Sequence, residues 1–105
     1  MKILALGNAV IDVTANIGDD FLETHEIKKG LCYESHISEV PKYLDMLKSL
    51  GVNITYTAGG SAANTMVCIA ALGGESSFSG FIGNDKDGDF FKDSIALYDV
   101  DTRDM

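Results

Sequence analysis

The sequence of 105 residues predicts an α/β fold. Three observations carry that expectation. An apolar run opens the chain with Ile3, Leu4 and Leu6. A second strand-like run, Ser76 to Ile82, follows an apolar helical segment, Ser61 to Leu72. Further helical patterns lie between and after these runs. Strands alternating with helices form a sheet covered by helices. Only two or three sheet strands are visible, with a small appended strand pair. A doubly wound sheet has about five or more, so the chain reads as the first part of a larger domain.

The elements follow in order. Lys2 to Val13 reads as a buried strand interrupted at Gly7-Asn8. Asp20 to Lys29 reads as a short helix with an Asp20-x-x-Glu23 start signal and a Gly30 stop. Gly30 to Ser35 has an extended alternation of Leu31 and Tyr33. Ser38 to Leu50 is a firmer helix, with Ser38 able to cap it and Pro41 tolerated in its first turn. Val40, Leu44 and Leu47 make its apolar stripe and Gly51 ends it. Val52 to Thr57 alternates as a half-exposed strand. Ser61 to Leu72 is apolar nearly all round, which predicts a buried helix with Cys68 as a small core residue. Ser76 to Ile82 follows as a strand. Gly83-Asn84-Asp85 starts a last helix carrying Phe91, Ile95 and Tyr98 on one stripe, and Val100-Asp101-Thr102 approaches a further strand.

Composition narrows the function classes. There are 8 basic and 16 acidic residues, a net charge of −8, which argues against a basic nucleic-acid-binding face. The acidic stretch Asp85 to Asp104 reads as a solvated surface. No apolar stretch reaches the roughly 20 residues of a membrane span. The start lacks a signal-peptide pattern, and Cys32 and Cys68 have no metal-type spacing, so a reducing cytoplasm with free thiols is the expected setting. His25 lies in a surface-type helix and takes no catalytic role.

Familiar site motifs fail when counted. Gly7-Asn8-Ala9-Val10 lacks the later glycines of a dinucleotide fingerprint, and Gly59-Gly60-Ser61 lacks the Gly-Lys-Ser/Thr of a phosphate loop. An EF-hand built on Asp85, Asp87 and Gly88 would put Gly83 and Ser94 at essential ligand positions. A polar group on small-residue turns is left: Asn8, Asp12, Gly59, Gly60 and Asn64. An isolated carboxylate in an apolar run is costly unless it is paired or faces a wet cleft. A carboxylate with two amides suits a ligand with vicinal hydroxyls, because it accepts their protons while the amides donate and accept. Ordinary turn chemistry accounts for the same residues equally well.

Three stretches carry a resemblance: Leu6-Gly7-Asn8-Ala9-Val10-Ile11-Asp12; Ala58-Gly59-Gly60-Ser61-Ala62-Ala63-Asn64-Thr65; and Gly80-Phe81-Ile82-Gly83-Asn84-Asp85-Lys86-Asp87-Gly88. In this order they resemble the N-terminal part of the PfkB/ribokinase family of carbohydrate and nucleoside kinases. Asp19-Asp20-Phe21-Leu22 with Lys29-Gly30 is closest to the adenosine-kinase-like branch. The resemblance implies a ribokinase-like, Rossmann-like sandwich with a small β-lid. Its core strand would occupy about residues 1–12, lid elements about 13–35 and 52–58, and core helices and a strand the remainder. It further implies that Asp12 binds sugar hydroxyls, that Asn8 helps beside it, and that Gly59, Gly60 and Asn64 line the same pocket. The complete enzyme would use ATP and Mg2+ to phosphorylate a hydroxymethyl group of adenosine or a ribose-like sugar. The family's catalytic Gly-Ala-Gly-Asp motif is absent from these residues, so no catalytic residue is assigned and the 105-residue chain alone is expected to be inactive. The competing expectations are a non-catalytic nucleoside-binding fragment, one completed by the missing C-terminal half or a second copy, and a remnant without function.

Overall fold

The computed structural model describes all residues, 1–105, as four strands and four helices: β1 (Lys2–Leu6), β2 (Val10–Ala15), α1 (Asp19–Thr24), α2 (Glu39–Ser49), β3 (Ile54–Gly59), α3 (Ser61–Ala71), β4 (Glu75–Ser79) and α4 (Lys86–Ala96). The chain forms two compact units, one of residues 1–13 with 56–105, the other of residues 14–55.

In the first unit β1 and β4 pair in parallel, with Lys2 opposite Glu75, Ala5 opposite Phe78 and Leu6 opposite Ser79. Residues opposite one another in a parallel pair share a face, so Ala5 and Phe78 point to the same side. There α3 packs on both strands. Ala63 and Met66 of α3, Phe91 and Ile95 of α4, and Val100 close over Phe78 to make the core. The Phe78 and Phe91 rings are tilted, with centroids 5.6 Å apart, a favoured aromatic geometry. Buried Ser76 spends its hydroxyl on the Met66 carbonyl at 2.8 Å. Asp101 bridges to Ser77 in parallel: the Phe78 amide donates to the Asp101 carbonyl at 3.0 Å, and the Asp101 amide to the Ser76 carbonyl at 2.9 Å. The approach to a further strand predicted at Val100–Thr102 is therefore a real sheet contact.

Several local expectations change. Lys2 to Val13 is two strands in two different sheets, because the chain leaves β1 at Gly7-Asn8 and β2 pairs with β3 instead. Nor is β1 buried on both faces. Alternation puts Leu4 and Leu6 on the face away from Phe78, and they are 54% and 75% exposed. Likewise α3 buries only one stripe, Ala63 and Met66, leaving Cys68 and Leu72 exposed. Its apolar outer face lacks a covering layer, so composition overstated its burial.

In the second unit α1 ends at Thr24, where Glu26 takes a left-handed φ of 55°. Gly18, not Asp20, stands at its N-cap, without a side-chain cap bond. Residues 30–35 form no strand. Ser38 precedes α2 without capping it; its hydroxyl lies 2.7 Å from His36 Nδ1 instead. His25 is half-buried rather than fully solvated, its ring 4.5 Å from Phe21 and 6.5 Å from Tyr43 between centroids. Phe21, His25, Met46 and Leu50 line a cavity of about 490 Å3 in this unit.

Candidate functional site

The site begins where β3 runs into α3. Gly60 sits between them at φ 96° and ψ 140°, a left-handed backbone that suits glycine. That turn brings it to the loop after β1: a Cβ at Gly60 would lie 3.1 Å from the Asn8 carbonyl oxygen and 3.4 Å from Val10 Cγ2. The Asn64 amide donates to the Gly60 carbonyl at 2.9 Å, which closes the first turn of α3. No side chain caps this helix, so its first amides stay available to other acceptors.

Asp12 comes from β2, and its carboxylate lies against Gly59, the buried last residue of β3. A Cβ at Gly59 would overlap Asp12 Oδ2 and stand 2.8 Å from Asp12 Cγ. Asp12 is exposed and takes part in none of the chain's side-chain hydrogen bonds or ion pairs. The carboxylate thus has a fixed neighbour and uncommitted lone pairs, an arrangement able to accept hydroxyl protons from outside the chain.

The fold therefore brings Asn8 to Gly60 and Asp12 to Gly59. Asn64 is exposed one turn into α3 and lines a cavity of about 420 Å3 with Tyr56, Val67, Phe90 and Tyr98; neither Asn8 nor Asp12 lines that cavity. Sequence reasoning treated those aromatic residues as strand alternation and helix core. Asp85 has a structural role: it caps α4, accepting from the Gly88 amide at 2.8 Å. Nowhere do three His, Cys, Asp or Glu side chains gather to hold a metal ion. A second missed feature is the ion-pair group in which Asp101 binds Lys2 and Arg103, the Arg103 contact at 2.6 Å. Arg103 above all, with Lys2, holds the Asp101 carboxyl well below the usual carboxylate range.

Residues 27–105 match the model of the pfkB family carbohydrate kinases. The chain belongs to the pfkB family. Adenosine kinase 2 of Arabidopsis thaliana is similar to it, 31% identical over 93 residues that cover 86% of this chain and 26% of that protein. Among solved structures, a probable sugar kinase from Rhizobium etli CFN 42 superposes with a TM-score of 0.79 at 27% identity, over 95% of this chain and 29% of the other. The adenosine kinase from Sinorhizobium meliloti gives 0.73 at 31% identity, again over 95% of this chain and 29% of that one. This pfkB chain thus has the α/β fold of ribokinase-like kinases over their N-terminal portion, and it spans little more than a quarter of the length of these relatives.

Proposed function

We propose that this pfkB chain is the substrate-binding and lid part of an ATP-dependent kinase for a nucleoside or sugar, adenosine or a ribose-like compound. The complete enzyme transfers the γ-phosphate to a hydroxymethyl group. The observation that carries the reading is the Asp12 carboxylate, exposed, free of internal partners and set against Gly59 beside the start of α3. Asp12 accepts the sugar hydroxyl protons. Asn8 and Asn64 supply amides, and Gly59 and Gly60 line the same pocket. Residues of about 13–35 and 52–58 form the lid. Adenosine kinases and sugar kinases among the relatives support this substrate class.

The chemistry of transfer rests on other residues. Phosphoryl transfer depends on positioning and charge stabilisation around the nucleotide. The chain has neither a phosphate loop nor a Gly-Ala-Gly-Asp motif. ATP and Mg2+ therefore belong to the complete enzyme, which works in the cytoplasm, and the chain by itself binds substrate without turning it over. The exposed Leu4 and Leu6 favour a second reading, in which the chain acts only with a further polypeptide, the C-terminal half or a second copy, laid on that face.

Calorimetry of the chain with adenosine, ribose and ATP tests the proposal. Saturable binding of adenosine or ribose without ATP turnover is expected. Asp12→Ala should weaken it by about 1.5–3 kcal/mol, roughly 10- to 150-fold, the worth of hydrogen bonds to a charged group. Unchanged affinity in that variant would remove Asp12 from the site.

A further inference from the structure

Glycine at position 60 is explained by its backbone, at φ 96°. Position 59 has no such explanation, since its φ lies outside the left-handed region that favours glycine. It is the buried last residue of β3. The space around it shows what glycine provides. The three atoms nearest a Cβ at Gly59 all belong to Asp12: Oδ2, in overlap, Cγ at 2.8 Å and Oδ1 at 3.3 Å. No atom of any other non-adjacent residue comes closer than these. The carboxylate fills the volume that a side chain would take.

We infer that Gly59 is a positioning residue whose missing side chain is the seat of the Asp12 carboxylate. This rests on Asp12 being the group that grips the ligand, and it adds how that group is held. A carboxylate is commonly oriented by hydrogen bonds, each of which occupies a lone pair. Here contact with a bare Cα restricts the carboxylate on one side without consuming an acceptor site. Any side chain at position 59 forces Asp12 into another rotamer, because the carboxylate ends a flexible side chain and moves more readily than the strand. Position 59 acts on ligand binding through Asp12, with no contact to the ligand required.

The test is a double-substitution cycle in the full chain, read by calorimetry with adenosine and by the carboxyl carbon resonance of Asp12 in NMR. Gly59→Ala is expected to shift the Asp12 Cγ resonance while leaving that of Asp45, on α2, in place. It should also weaken adenosine binding roughly tenfold or more. In an Asp12→Ala background, Gly59→Ala should add no further loss, because the atoms it strikes are gone. Equal losses from Gly59→Ala in both backgrounds, or an unmoved Asp12 resonance, would overturn the inference. If the unaltered chain binds neither adenosine nor ribose, the functional reading fails. The resonance still decides whether the seat exists.

Discussion

At the scale of single residues, Asp101 ties together parts of the first unit that are distant in sequence. Its backbone pairs with β4 and its side chain, 19% exposed, binds Lys2 at the start of β1 and Arg103 just after it. Arg103, Lys2 and the Arg103 amide all favour the charged carboxylate and hold its pKa below the ordinary value of about 3.9. A carboxylate with a depressed folded-state pKa contributes stability that is fully present above its unfolded pKa and lost as pH falls through the folded one. The chain should therefore lose stability as pH falls below about 4, and Asp101→Asn should flatten that part of the profile while lowering the plateau above it. Urea midpoints from pH 2 to 7 for both proteins check this. A parallel pair of profiles would show that the ion pairs contribute nothing. Asp101 belongs to an acidic stretch that reads as solvated surface, because a list of charges does not show which one lies beside the opposite end of the chain.

At the scale of elements, the local signals were legible and the non-local ones were not. Gly83-Asn84-Asp85 announced a helix start, and Asp85 does cap α4 with a 2.8 Å bond from Gly88. Phe91 and Ile95 fell on the buried stripe as their spacing required. Tyr98, next on that stripe, lies beyond the end of α4 and stays exposed. The exposure of Cys68 could not be read from α3 alone, since an all-apolar helix buries only the faces that something covers. The split of Lys2–Val13 into β1 and β2 was equally hidden, because strand pairing is decided by partners far along the chain. The site divides the same way. Gly60 was legible as a turn glycine. The fit of Gly59 against Asp12 was not, since it joins residues on two strands. The Asp85 cap gives the element-scale prediction. Asp85→Ala removes an N-cap acceptor at a helix whose first turn also carries Asp87 and Asp89. The loss is about 1 kcal/mol, which in a domain of this size lowers the melting temperature by roughly 4–8 °C. Thermal melts of Asp85→Ala and Asp85→Asn separate the two contributions, because Asn keeps the cap and drops the charge.

At the scale of the whole molecule, the unevenness of the sheet faces matters most. One face of β1 and β4 carries the entire buried core, while the other presents Leu4 and Leu6 to solvent. Parallel sheets are ordinarily covered on both faces, and the relatives are several times longer than this chain. An exposed apolar strand face promotes association in water, and an unpaired strand edge adds a template for it. Replacing both leucines with threonine introduces a β-branched residue that strands favour and removes most of the apolar surface. Leu4→Thr/Leu6→Thr should therefore lower self-association, measured by sedimentation velocity across a concentration series, and should leave the melting temperature of dilute chain nearly unchanged. The contrast with Phe78→Ala is the control. That substitution empties the centre of the covered face, for about 3–5 kcal/mol, and should unfold the first unit. If the leucine pair also unfolds the chain when dilute, these side chains are already packed in solution and the open face is closed by the chain itself. If only association falls, the face is a free surface of the first unit.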